Sequence, residues 1–187
     1  MNKELERIKA SLQKSEKDYQ KKTITLLESL DGVSSVTVRA PTLNEDLELS
    51  DADGQRDEVA MVALVTGLEV RQVEEIASPD WNNIVEALNA FLSKTSYELA
   101  GKQYKPKEKK ITLLFTEQEK EVLFCLPTVG ITRRAKKIQD ATKRLKFYLA
   151  QITELSPQEI EEMPLPDYRM LDAVVTDFLN RTADYFQ

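Results

Sequence analysis

"SPDWNNIVEALNAFL" occupies Ser78 to Leu92, and "LPDYRMLDAVVTDFL" occupies Leu165 to Leu179. Each opens on Pro-Asp-aromatic and closes on Phe-Leu, and the two lie 87 residues apart. In the first, Trp81, Ile84, Val85, Leu88, Phe91 and Leu92 recur at three- and four-residue steps, the stripe of a helix with one buried face. In the second, Tyr168, Leu171, Val175, Phe178 and Leu179 repeat it. Moving outward, "TGLEVRQVEEI" from Thr66 meets "TELSPQEIEEM" from Thr153 at the same spacing. "KKTITLL" from Lys21 meets "EKKITLL" from Glu108 at 87 again, and "VTVRAPTL" from Val36 meets "VLFCLPTV" from Val122 at 86. One helix matching another is common. Four collinear matches predict one module present twice.

The expected fold is therefore α+β: two tandem copies of a β-hairpin plus three helices, preceded by an N-terminal helix. The expected boundaries are 1–20 for that helix, 21–100 for copy one, 101–107 for a linker and 108–187 for copy two. Asp31-Gly32 between two β-prone runs is a hairpin turn signal. Pro41 and Pro127 close the second strands, because proline cannot donate to a ladder. The next helix is expected over Thr132 to Ile152 in copy two. In copy one it is the shorter "EVAMVALVT", with Ala60, Met61, Leu64 and Val65 inward, after a polar insert. Ser156-Pro157 with Glu159 starts the short helix that follows. Trp81 and Tyr168 should be equivalent and largely buried.

Composition narrows the function. Of 187 residues, 41% are hydrophobic and 31% charged, with only 5 glycines, a mix that suits helices packed on a core. The net charge is −6 and the pI about 5.0, so nucleic acid is not the expected partner. Histidine is absent, which removes the commonest general base and transition-metal ligand. One cysteine, Cys125, permits no internal disulfide and reads as a small buried hydrophobe. No apolar run reaches the ~20 residues that span a bilayer, and the N-terminus lacks a signal-peptide core, so a soluble cytosolic protein is expected.

No catalytic, metal or cofactor site is expected. The acidic loop around "DADG" at Asp51 fails the calcium-loop spacing, with Gly54 at position 4 and Val62 at position 12. The acids read as solvated, either in that loop or opposite the apolar helix stripes, as Glu74, Glu75, Glu161 and Glu162 do. Two features suit partner binding. Leu5, Ile8 and Leu12 form a narrow stripe on a charged helix, which either docks on its own module or binds a partner or a second copy. Arg133, Arg134, Lys136 and Lys137 belong to a run, Thr132 to Lys146, with seven bases and one acid. No aromatic is interleaved to stack on bases, so charge-guided protein contact or a solvated face is the better reading. Copy one carries 15 acids against 6 bases, whereas Gly101 to Gln187 carries 13 against 15.

The residues Arg39, Pro41 and Thr42, then Glu58, Ala60 and Leu64, then Thr66-Gly67-Leu68, then Asp80, Trp81, Leu88, Phe91 and Leu92 resemble the tail assembly chaperones of Mu-like and related contractile-tailed phages. Copy one carries the resemblance well. Copy two carries it more weakly, with Cys125 in place of the arginine and Glu154 in place of the glycine. The resemblance implies a non-enzymatic phage tail assembly protein that binds tape-measure, tube or baseplate components in the host cytoplasm. The alternative is a permanent baseplate or hub component of the virion tail.

Overall fold

The computed structural model describes residues 18–50, 55–116 and 118–187. Among them are nine α-helices and two antiparallel two-stranded sheets, a mixed α/β composition. The chain resolves into two compact units, each drawn from two stretches of sequence.

Of the described residues, unit 1 comprises 18–40, 49–50 and 55–92. It opens on the hairpin β1 (Lys21–Leu30) and β2 (Val33–Arg39), paired from Lys21↔Arg39 to Thr25↔Ser35. The register shifts between Thr25 and Leu30 before closing at Leu30↔Val33. Asp31 and Gly32 both have positive φ, 47° and 85°, as a tight primed turn demands. Leu26, Leu30, Val36 and Val38 are buried from one face of the hairpin. Against it pack α2 (Glu58–Thr66), α3 (Val70–Glu74) and α4 (Ser78–Ser93), through Met61, Val62, Val65, Val73, Ile84, Leu88, Phe91 and Leu92. The α2 stripe is rotated from the expected one: Val62 is buried, Ala60 lies at the margin and Leu64 faces outward. Its helix is nearly uniformly apolar, so spacing alone could not select the face.

Unit 2 comprises Pro41–Glu48 and Ser93–Gln187. It holds α1 (Leu43–Glu48), α5 (Ser96–Leu99), β3 (Lys110–Leu113), β4 (Lys120–Leu123), α6 (Val129–Ala135), α7 (Ala141–Ile152), α8 (Pro157–Glu161) and α9 (Leu165–Asn180). The strands pair from Lys110↔Leu123 to Leu113↔Lys120. Its core gathers Ile111, Leu113, Leu114, Phe124, Leu149, Ile152, Ile160, Met163, Leu171 and Val174. Segment 41–48 joins this core through paired backbone bonds. Leu43 N–H donates to Met163 O at 2.9 Å and Leu165 N–H to Pro41 O at 2.9 Å, with Thr42 opposite Pro164.

Two expectations need correction. Thr132 to Ile152 is not one helix. The chain leaves helix after Ala135, and Asp140 starts a new one by accepting the Lys143 amide at 2.8 Å. Four clustered bases at 133–137 repel along a helix, and an aspartate that can cap offers a better start. With α1 and α6 counted, four helices follow each hairpin before the last short turn, not three.

The spacings recur in the structure. α3 and α8 are both five residues long and start 87 residues apart, and the 16-residue α4 and α9 do the same. The N-terminal partner pairs Glu69/Gln72 and Ser156/Glu159 both form capping boxes. Thr66 and Thr153 each bond back to a carbonyl four residues earlier, at 2.6 and 2.7 Å.

Candidate partner-binding surface

Arg133 and Arg134 project from α6, and Lys136 and Lys137 from the turn that follows; all four are exposed. Thr128 fixes the start of α6 by accepting the Ile131 amide at 3.3 Å. Arg134 donates to Gln151 at 3.4 Å and lies 5.8 Å from the Phe147 ring centroid, so it is held against α7. Further along, Lys146 pairs with Glu161 at 2.9 Å. Glu161 of α8 thus neutralises one end of the basic run, and the α6 end is left exposed.

The strand leading into α6 adds an apolar component. Leu123 is 64% exposed, Leu126 47% and Val129 76%, and Cys125 between them is exposed as well. The expectation of a buried Cys125 fails because the extended chain that runs on from β4 has one covered face. Val122 and Phe124 turn inward, so Leu123 and Cys125 turn out. A shallow hollow of about 160 Å³ lined by Lys120, Leu123, Glu154 and Leu155 adjoins the same strand. Together these residues form an apolar strip beside a cluster of cations, suited to an amphipathic acidic protein segment. Leu5, Ile8 and Leu12 lie outside the described residues.

The reading of all acids as solvated also fails. Asp80 and Asp167, three residues into α4 and α9, are fully buried. Asp80 accepts the Leu27 amide at 2.9 Å. Asp167 accepts the amides of Leu114 at 2.9 Å and Phe115 at 2.8 Å. Asp80 thus ties the irregular part of β1 to the start of α4, and Asp167 ties the residues just after β3 to the start of α9. Burial pushes the Asp167 carboxyl above its usual range, against the pull of those amides. The sequence did hold a signal: an aspartate at the same place in both Pro-Asp-aromatic motifs. The neighbouring aromatics differ, since Tyr168 is buried at 8% exposure whereas Trp81 remains partly exposed.

Among the described residues no three acidic or thiol side chains gather as a metal site, and no helix is long and apolar enough to cross a membrane. Residues 117–180 match the family model of phage tail assembly chaperone proteins, E, or 41 or 14. That span covers β4 and α6 to α9, in the half where the sequence resemblance was weaker. No curated protein and no solved structure shows significant similarity to the chain.

Proposed function

We propose that this protein is a non-enzymatic phage tail assembly chaperone whose recognition face is the Leu123 to Lys137 segment. The family match over 117–180 carries the proposal, because that face lies wholly within it. Exposed Leu123, Leu126 and Val129 would cover apolar surface on a tail component, and Arg133, Arg134, Lys136 and Lys137 would engage its acids. The tape-measure protein is the partner this reading favours, bound in the host cytoplasm until assembly consumes it. The organisation we propose is the doubled module, 21–100 and 108–187 about the 101–107 linker, preceded by a helix within 1–20. Matching element lengths, caps and buried aspartates at a spacing of 87 support it.

The test is co-expression with the tape-measure, tube and baseplate proteins of the same phage, scoring partner solubility and capture. The four-fold variant Arg133→Glu, Arg134→Glu, Lys136→Glu and Lys137→Glu alters only exposed side chains and should keep the fold while losing capture. Unchanged capture would overturn the assignment of the face. Mass spectrometry of purified particles distinguishes a chaperone, absent from them, from a baseplate component at fixed stoichiometry.

A further inference from the structure

Segment 41–48 and segment 127–134 stand in corresponding places, yet only one of them is covered. Pro41-Thr42-Leu43 leads into α1 as Pro127-Thr128-Val129 leads into α6, with a threonine cap in each. Leu43 is 3% exposed, seated against the corner Met163-Pro164-Leu165 between α8 and α9. Val129 is 76% exposed. The corner that corresponds to Met163-Pro164-Leu165 is Ile76-Ala77-Ser78, between α3 and α4.

In the formed clasp, the first amides of two helices, at Leu43 and Leu165, are satisfied by each other's segment. Such amides have no partner within their own helix. The corresponding amides, Val129 and Ser78, make no such bond among the described residues, and Ser78 is exposed.

We infer that Leu126 to Val129 is a docking arm for the Ile76-Ala77-Ser78 corner of a second copy of this protein. Val129 N–H would donate to Ile76 O, and Ser78 N–H to Pro127 O, reproducing the clasp already present in unit 2. The charges agree with this pairing. The arm continues into Arg133, Arg134, Lys136 and Lys137, and the helix before the corner ends on Glu74 and is bounded by Glu69 and Glu75, the last of them shared with Arg71 at 3.6 Å. Arm and corner are different surfaces, so the contact is head-to-tail, and a pair keeps one free arm on one copy and one free corner on the other. The assignment rests on the reading of the chain as two related halves, and it gives the arm an occupant that a bound tail component would displace. Its assay holds this chain alone, so its failure is distinct from a failure to bind tail proteins.

The experiment is sedimentation velocity over a wide concentration range, with circular dichroism as the fold control. The sedimentation coefficient should rise with concentration and fall back with added salt. Val129→Glu, at an exposed position, should leave a monomer, as should Ile76→Glu. Ala77→Glu serves should Ile76→Glu unfold. Mixed, the arm variant and the corner variant each retain one working surface and should form a 1:1 pair and nothing larger. A parent chain that stays monomeric throughout, single variants that sediment like the parent, or a mixture without pairs would each overturn the inference.

Discussion

Asp80 and Asp167 occupy corresponding buried positions but differ in how fully they are used. Both oxygens of Asp167 accept backbone amides, whereas Oδ1 of Asp80 is buried without a hydrogen-bond partner. Asparagine distinguishes them. At position 80 the side-chain carbonyl can keep the Leu27 bond, and the amide nitrogen takes the place of the idle oxygen. At position 167 the nitrogen must face an N–H donor, leaving two buried donors opposed. Asp167→Asn should therefore lower unfolding free energy by about 2–3 kcal/mol, and Asp80→Asn by less than about 1 kcal/mol. Urea denaturation of the two variants checks this, and equal losses would refute the contrast. The motif was visible in the sequence, but its role was not. A carboxylate beside an apolar stripe reads as solvated until the strand that supplies its amides is placed.

Among the elements, the short helix α8 owes its start to Ser156 and Glu159, since five residues gain little from helix propagation. Glu159 also pairs with Lys120 on β4. The lysine contact and the Ser156 amide bring its carboxyl down from an ordinary 4.5 to about 2. A lowered folded-state value means that the contribution is complete above the unfolded value of 4.5. It is lost as pH falls from there through about 2. Glu159→Gln keeps the capping box and removes the charge. Because both side chains are nearly half exposed, the cost at pH 7 should stay below about 1 kcal/mol. Thermal unfolding of parent and variant across pH tests this: the gap should close as the acid side is reached, and a gap independent of pH would contradict it. This cap was legible beforehand, because Ser-Pro-x-Glu is a local signature. The break between α6 and α7 was not, because the helical spacing of Ile138, Leu145, Leu149 and Ile152 obscured Asp140 as a cap.

At the level of the whole molecule, the units are not contiguous in sequence, and that is testable. Both hairpins and the helices α2, α3, α4, α8 and α9 were readable because each follows a local period. Periodicity does not say which core a short helix joins, so nothing in the sequence announced that Pro41–Glu48 belongs with Ser93–Gln187. The candidate cations were readable as a charge run, whereas exposure of Cys125 depended on which face of the extended chain from Val122 to Cys125 was covered. The consequence is that a cut at residue 92 removes part of unit 2. A fragment 93–187 lacks Leu43, which is buried in the intact chain, and the two backbone bonds at Met163 and Leu165. Losing that apolar side chain costs about 2 kcal/mol and losing the bonds about 1 kcal/mol each. On a domain of this size, the sum lowers the melting temperature by more than about 10 °C. Residues 41–48 joined to the fragment through a flexible linker should restore most of the difference. In the full chain, Leu43→Ala alone should cost about 2–4 kcal/mol. A fragment 93–187 that melts at the same temperature with and without the added segment would show that the segment does not stabilise this core.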